Sequence, residues 1–365
     1  MMRDKIALEE HYLSEGQLDE GHRAIDANIV KRLLDTEDLR LEAMDRNGIA
    51  TSVLSHSITG VQGEPDPGRA AALARELNDG LAELVARHPS RFAAFAAIPM
   101  HDGDSAAAEL RRAVADLGFL GAHLNGFQNV SGSGFTVTEA LYYDDPRFEP
   151  FWAAAVDLSV PVYLHPRFAP TDQQRIYEGY RAMASAAWGF GVETGGHALR
   201  LIVSGVFERH PQLTMILGHL GEMLPYAIGR FDQCWARDAR GPQSEAISQP
   251  PSHYFHRNFH VTTSGFFHTR ALEAAIAELG VDRVMFSVDY PYENPDAGAA
   301  WFDALPLDPA DRARISARAT PPASCASPEP HRGRPSGWVL VPATLARSQQ
   351  TPRRLPRELE LRSPR

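Results

Sequence analysis

The stretch "IALEEHY", residues 6–12, begins as an apolar strand and ends in three ionisable side chains, Glu9, Glu10 and His11. Side chains alternate between the two faces of a strand, so Glu9 and His11 point to one face and Glu10 points to the other. A carboxylate and an imidazole that face the same way can together hold one metal ion. The stretch therefore predicts a buried first strand that carries chemistry at its carboxyl end.

Seven more short apolar runs, rich in strand-forming residues, follow along the chain. With the first run, the predicted strands are 6–11, 51–56, 92–99, 121–126, 161–166, 213–219, 258–265 and 283–291. Amphipathic helical patterns separate most of them, including 68–88, 104–117, 196–209 and 268–279. Near-continuous apolar strands that alternate with helices are typical of a parallel sheet, and eight such units predict a (β/α)8 TIM barrel.

Polar side chains collect at the carboxyl ends of these predicted strands, which in a TIM barrel meet at one mouth. They are Glu9, His11, His56, Asn125, His165, His219 and Asp289. The longer segments 12–38 and 168–195 are predicted to form loops above that mouth. His165 and Asp289, on the fifth and eighth strands, would reach the Glu9–His11 pair. Two imidazoles and two carboxylates suit Zn²⁺, Mn²⁺ or a related divalent ion.

A second pair stands in "GHLGEMLPYAIGRFD", residues 218–232, where His219 and Glu222 lie three residues apart at a strand-to-helix turn. A carboxylate beside a histidine orients the ring and raises its basicity, which a general acid or base requires. Each of these residues has an ordinary structural explanation when it is taken alone. Their joint placement at one barrel mouth predicts a metal-dependent enzyme.

The composition is that of a globular protein, with 44% hydrophobic and 22% charged residues among 365. We find no charged-then-apolar leader and no apolar run of about 18 residues, which disfavours secretion and a membrane span. Two cysteines, Cys234 and Cys325, cannot build a disulfide framework, so we expect a cytoplasmic protein. The net charge of −10 disfavours nucleic acid as a partner.

The last part of the chain differs from the rest. From Thr320 onward it has nine Pro, eight Arg and only three acidic residues, without periodicity, which predicts disorder. The whole chain has 34 Arg and 2 Lys, which indicates GC-rich coding DNA. A reading frame one base earlier could encode an amphipathic helix here. We therefore predict a catalytic domain over 1–318 and hypothesise that a frameshift produced the tail 319–365; a natural disordered extension is the alternative, and sequencing the gene distinguishes them.

Several motifs resemble those of the aromatic acid decarboxylases of the amidohydrolase superfamily, which include γ-resorcylate, 2,3-dihydroxybenzoate and 5-carboxyvanillate decarboxylases. The motifs are "ALEEH" (7–11), "YLHPR" (163–167), "ILGHLGEMLPY" (216–226) and "FSVDYPYEN" (286–294). They occur in order at the expected strands, and the similarity runs from about residue 5 to residue 316. The resemblance implies a barrel of the metal-dependent hydrolase type that assembles as a homodimer or homotetramer.

The resemblance also implies roles for particular residues. Glu9, His11, His165 and Asp289 would bind one divalent ion, with Mn²⁺ favoured and Zn²⁺ or Mg²⁺ possible. His219 with Glu222 would be an acid–base pair, Asp289 the proton donor, and Arg230 and Asn125 would hold the substrate. His11, where some related decarboxylases have Ala, points towards the γ-resorcylate branch.

The implied reaction is the reversible, non-oxidative decarboxylation of an ortho-hydroxybenzoic acid to a phenol and CO₂. Two alternatives stay open at this point. One is a metal-dependent hydrolase or hydratase of the same superfamily, and the other is an inactive barrel that acts as a binding protein. The sequence leaves open which hydroxybenzoate is the substrate.

Overall fold

Eight strand positions form a parallel sheet that closes on itself in a computed structural model of the chain. The model describes residues 4–318 except 19, 24, 135, 240 and 242–244. The strands are β1 Lys5–Tyr12, β2 Ile49–His56, β3 Phe92–Ala94, β4 Ala96–Ala97, β5 Ala122–Asn125, β6 Gln128–Ser133, β7 Thr136–Leu141, β8 Val162–His165, β9 Met215–Leu217, β10 Phe259–Thr262 and β11 Val284–Met285. All eight predicted strands are present, and β3 and β4 are two pieces of the third.

The strands pair in the order β1-β2-β3 and then β4-β5-β8-β9-β10-β11, in parallel throughout. The seam between the eighth and first strands is bridged by the amide of His11, which donates to the carbonyl oxygen of Tyr290 at 2.7 Å. The predicted TIM barrel is therefore confirmed.

The helices follow the strands as a TIM barrel requires. They are α1 Glu20–Arg23, α2 Ala27–Leu34, α3 Asp38–Asn47, α4 Pro67–Arg87, α5 Gly103–Ala115, α6 Glu149–Leu158, α7 Gly189–Val203, α8 Val206–Arg209, α9 His219–Glu222, α10 Leu224–Asp238, α11 Pro251–Asn258, α12 Thr269–Leu279, α13 Pro295–Ala304 and α14 Pro309–Ser316. The predicted helices at 68–88, 104–117 and 268–279 match α4, α5 and α12. The prediction at 196–209 covers the end of α7 and all of α8.

Two apolar layers hold the barrel together. The interior is filled by a small cluster that includes Leu8, Val53, Phe95, Ile216 and Met285. A larger cluster lies between the strands and the outer helices. The interior cluster fills the barrel beneath its mouth, so the polar strand ends lie directly above a packed apolar interior.

The loops carry more structure than the sequence predicts. Segment 12–38 contains α1 and α2, and segment 168–195 contains two short 3₁₀ helices before α7 begins. Strands β6 and β7 form an antiparallel hairpin after β5 that was not predicted. Buried Arg167 anchors this hairpin by donating to the carbonyl oxygen of Phe127 at 2.8 Å and to Asn129 Oδ1 at 3.0 Å.

Among the described residues, we find no helix with the length and apolar character needed to cross a membrane. The predicted tail 319–365, its boundary with the catalytic domain and the frameshift hypothesis lie outside the described residues. They stay predictions.

Candidate metal centre and active site

A bulge in β1 determines which way its ionisable residues point. The pairing of β1 with β2 skips a residue between Ala7 and Glu10. As a result, the consecutive side chains of Leu8 and Glu9 both point into the barrel. Leu8 packs in the interior cluster, and Glu9 contacts interior residues. The amide of Glu9 donates to Ser287 Oγ at 2.7 Å and so has a partner outside the strand ladder. The bulge lets apolar side chains fill the barrel interior while Glu9 and His11 reach the mouth.

Four side chains converge with Glu9 at the carboxyl ends of β1, β8, β9 and β11. Glu9 Oε1 lies 3.2 Å from His165 Nε2, 3.9 Å from His219 Nε2 and 4.0 Å from His11 Nε2. Asp289 completes the group, with Oδ1 3.4 Å from His11 Nε2 and Oδ2 3.6 Å from His219 Nε2. The structure thus brings together all four residues for which the sequence predicts metal binding.

The donor atoms of this group fit a divalent ion. Glu9 Oε1 and His11 Nε2 are buried, and neither has a hydrogen-bond partner among the described residues. A buried polar atom without a partner costs free energy, and a bound cation would supply the missing interaction. Neighbouring imidazoles hold the pKa of Glu9 well below its ordinary value, although burial alone would raise it. An ionised carboxylate among imidazole nitrogens is a suitable cage for Mn²⁺ or Zn²⁺.

The predicted acid–base pair, His219 and Glu222, lies in a turn with unusual backbone geometry. Five consecutive residues have positive φ: His219 (49°), Leu220 (56°), Gly221 (87°), Glu222 (51°) and Met223 (66°). Left-handed backbone costs a non-glycine residue about 1–2 kcal/mol, so such a run persists only where its surroundings enforce it. The turn brings His219 Nδ1 within 2.8 Å of Glu222 Oε1 and leaves Nε2 facing Asp289.

This geometry favours a charged imidazole. Burial lowers the pKa of His219, but the carboxylates of Glu222 and Glu9 raise it well above its ordinary value. Burial raises the pKa of Glu222, and the His219 ring opposes that increase. His219 Nε2 lies 3.6 Å from Asp289 Oδ2, and the acid–base role of the His219–Glu222 pair stays a prediction.

Gly265 keeps the approach to this pair open. Its φ is +59°, and a Cβ at this position would lie 3.0 Å from Asp289 Oδ2 and 3.2 Å from His219 Cδ2. Glycine is required both by the left-handed backbone and by the close approach.

Glu10 faces away from the cluster, as the alternation predicts, and it is buried. Its Oε1 accepts from Ser287 Oγ at 2.8 Å and from the amide of Val288 at 3.1 Å, and its Oε2 accepts from the amide of Tyr290 at 3.3 Å. Burial raises the pKa of Glu10 to about 8, while these donors oppose the increase. Glu10 thus ties the first strand to the segment that carries Asp289.

His123 is a residue that the sequence analysis missed. It is buried on β5, and its ring centroid lies 4.9 Å from that of His165 and 5.7 Å from that of His11. Burial and the neighbouring imidazoles lower its pKa well below the ordinary value, which favours the neutral ring. His123 lies two residues before Asn125 and therefore on the same face of the strand. This alternation is the sequence signal that could have identified it.

The two predicted substrate-binding residues lie in different surroundings. Asn125 is buried, and its Nδ2 donates to the carbonyl oxygens of His56 at 3.2 Å and Ser57 at 3.4 Å. Arg230 is exposed on α10 and forms no hydrogen bond or ion pair with any residue that the structure describes. The substrate-binding roles of Asn125 and Arg230 stay predictions.

Comparison with known proteins identifies the family. Residues 25–317 match the family model described as Amidohydrolase. The chain belongs to the amidohydrolase family. It is 45% identical over 321 residues to the γ-resorcylate decarboxylase of Rhizobium radiobacter, an alignment that covers 86% of this chain and 96% of that protein.

Solved structures of amidohydrolase relatives agree with this assignment. The crystal structure of a 2,6-dihydroxybenzoate decarboxylase complexed with 2,6-dihydroxybenzoate is 44% identical, with a TM-score of 0.81 over 86% of this chain and 97% of that chain. A dihydroxybenzoic acid decarboxylase from a Polaromonas species, with bound manganese and the inhibitor 2-nitroresorcinol, is also 44% identical, with a TM-score of 0.81 over 86% of this chain and 95% of that chain. The predicted resemblance to aromatic acid decarboxylases is confirmed.

Proposed function

We propose that this protein is a Mn²⁺-dependent decarboxylase of γ-resorcylate, which is 2,6-dihydroxybenzoate. The observation that carries the proposal is the convergence of Glu9, His11, His165 and Asp289 beside the His219–Glu222 pair. Relatives that are 45% identical act on this substrate by name, and a solved relative contains manganese.

Glu9, His11, His165 and Asp289 would hold the ion. The ion supplies Lewis-acid stabilisation of the substrate phenolate and carboxylate when it is bound. Burial raises the pKa of Asp289, but the imidazoles of His11 and His219, at 3.4 and 3.6 Å from its oxygens, hold it below its ordinary value. Asp289 must therefore gain a proton before it can act as a donor, and His219 is the neighbouring source.

In the proposed reaction, the proton passes from Asp289 to the ring carbon that bears the carboxylate, which interrupts aromaticity. The bond between that carbon and the carboxylate then breaks, its electron pair returns to the ring, and CO₂ leaves. The products are 1,3-dihydroxybenzene and CO₂, and no redox cofactor takes part. Because each step is reversible, high bicarbonate should drive carboxylation of the phenol.

A hydrolase or hydratase is the second candidate, since the same cluster could activate a water molecule. The test is a panel of 2,6-dihydroxybenzoate, 2,3-dihydroxybenzoate, salicylate and 5-carboxyvanillate with metal-loaded protein, followed for CO₂ and phenol. We expect 2,6-dihydroxybenzoate to give the highest turnover. Water addition without CO₂ release would favour the hydratase, and no turnover with metal bound would favour the inactive barrel.

We also propose that the chain forms a homodimer or homotetramer and that Arg230 binds the substrate carboxylate. Large apolar side chains are exposed at Ile176, Tyr180 and Tyr226, which supports self-association. Light scattering of the purified protein tests the oligomeric state, and Arg230→Ala should raise KM more than it lowers kcat. The predicted cytoplasmic location and the choice of Mn²⁺ over Zn²⁺ are also part of this proposal.

A further inference from the structure

Tyr163 is a buried residue of β8 that neither the sequence analysis nor the proposed reaction uses. It lies two residues before His165, so both side chains point into the barrel. Its hydroxyl donates to Glu9 Oε2 and lies 3.0 Å from Thr262 Oγ1. The Thr262 hydroxyl also lies 3.4 Å from Glu9 Oε2. One carboxylate oxygen of Glu9 is thus engaged by two hydroxyls.

The other oxygen of Glu9 has different surroundings. Oε1 is buried and has no hydrogen-bond partner among the described residues, and it lies 3.2 Å from His165 Nε2. Tyr163 therefore divides the carboxylate into one anchored oxygen and one oxygen that faces the imidazoles. An anchored carboxylate needs no reorientation when a cation arrives, so the entropy cost of binding is smaller.

The position of the Tyr163 hydroxyl is itself tightly determined. Its ring packs against His123, with ring centroids 5.4 Å apart, and against Phe95 at 6.1 Å. Gly218 also lies against Glu9 and the Tyr163 hydroxyl: a Cβ there would lie 2.7 Å from Glu9 Oε2 and 3.2 Å from the hydroxyl. The hydroxyl is held by packing, so it can direct Glu9 rather than follow it.

We propose that Tyr163 is a positioning residue that holds Glu9 as a one-oxygen metal ligand, with Oε1 as the ligating atom. The inference rests on the proposed metal centre. It adds a residue outside the four ligands whose effect is on metal affinity and acts through Glu9.

The test compares Tyr163→Phe with wild type. The variant keeps the ring and removes the hydroxyl. Loss of an outer partner of a ligand weakens metal binding by about 10- to 100-fold, and we expect that range for the Mn²⁺ Kd measured by competition with a chelating indicator. At saturating Mn²⁺, kcat should return towards the wild-type value, because the ligands themselves are intact.

Tyr12→Phe is the matched control. Tyr12 is also buried and donates its hydroxyl to a backbone carbonyl, that of Leu77, at 3.3 Å. We expect its Mn²⁺ Kd to equal that of wild type. A wild-type Kd in Tyr163→Phe, or equal weakening in both variants, would overturn the proposal.

A double-mutant cycle tests whether Tyr163 acts through Glu9. In a Glu9→Gln background, Tyr163→Phe should cause no further loss of Mn²⁺ affinity, and additive losses would contradict the proposal. If Tyr163→Phe does not fold, Thr262→Val removes the second hydroxyl near Oε2. Weaker Mn²⁺ binding by that variant supports the proposal, and unchanged binding contradicts it.

These readouts separate the inference from the proposed function. A wild-type protein that binds Mn²⁺ but releases no CO₂ would refute the decarboxylase and leave the affinity comparison intact. A decarboxylase whose Mn²⁺ affinity does not depend on Tyr163 would refute the inference alone.

Discussion

Replacement of Glu222 by Gln tests the acid–base pair most directly. The carboxylate Oε1 is 2.8 Å from His219 Nδ1 and largely buried, and it is among the groups that raise the pKa of His219. An opposite charge within ~4–6 Å shifts a pKa by about 1–3 units, and each unit corresponds to about 1.4 kcal/mol. Glu222→Gln keeps the shape and removes that charge, so the pKa of His219 should fall by about 1–3 units.

The sign of the effect on activity follows from the charge. A protonated His219 is required in the proposed cycle, so activity falls as pH rises through its pKa. In Glu222→Gln, this decline should begin about 1–3 pH units lower than in wild type. The contribution of the pair to stability has the same direction, because a folded-state pKa above the unfolded value stabilises at low pH and is lost as pH rises through it.

The assay is kcat/KM for 2,6-dihydroxybenzoate against pH, with bound Mn²⁺ quantified in every sample. Glu193→Gln is the control, since Glu193 is a partly buried carboxylate that accepts from the Tyr142 hydroxyl at 2.6 Å, and it should leave the profile in place. An unshifted profile in Glu222→Gln with full metal content would refute the reasoning.

Three further predictions concern the same site. Asp289→Asn, with its metal bound, should lower kcat by at least about 100-fold because the proton donor is lost, and near-normal CO₂ release would contradict its role. Removal of the metal with a chelator should lower the melting temperature, and Mn²⁺ at 100 times its Kd should restore about 2.7 kcal/mol; a melt that does not respond to Mn²⁺ would exclude a site in the folded protein. Gly265→Ala should destabilise by about 1–2 kcal/mol through its left-handed backbone and lower kcat, whereas Gly80→Ala in α4, where a Cβ meets nothing within 4 Å, should not; equal melts for the two variants would refute this account.

Much of the fold could be predicted because apolar strands and amphipathic helices have different periods. All eight strands and the parallel order follow from runs such as residues 92–99 and 213–219, which are largely apolar because both faces of a barrel strand are buried. The β6–β7 hairpin was missed because its residues alternate weakly and its anchor, Arg167, lies later in the chain, two residues after the end of β8.

The site likewise contains residues that the sequence predicts and residues that it does not. The polar residues at the strand ends, such as Glu9, His165 and Asp289, could be predicted because the carboxyl ends of all barrel strands meet at one mouth. His123 and Tyr163 were missed because each precedes its strand end by two residues, where an inward side chain is usually part of the packed interior.

The sequence by itself determined the barrel, the set of ionisable residues at its mouth and the family to which the chain belongs. Only the tertiary structure decided in which direction the side chains of those residues point. Strict alternation cannot place both Leu8 and Glu9 inside the barrel, and the bulge that does so depends on pairing with β2. Likewise, which oxygen of Glu9 stays free depends on a hydroxyl from Tyr163, far away in the chain. Orientation is set by contacts between distant segments, and these exist only once the barrel has closed.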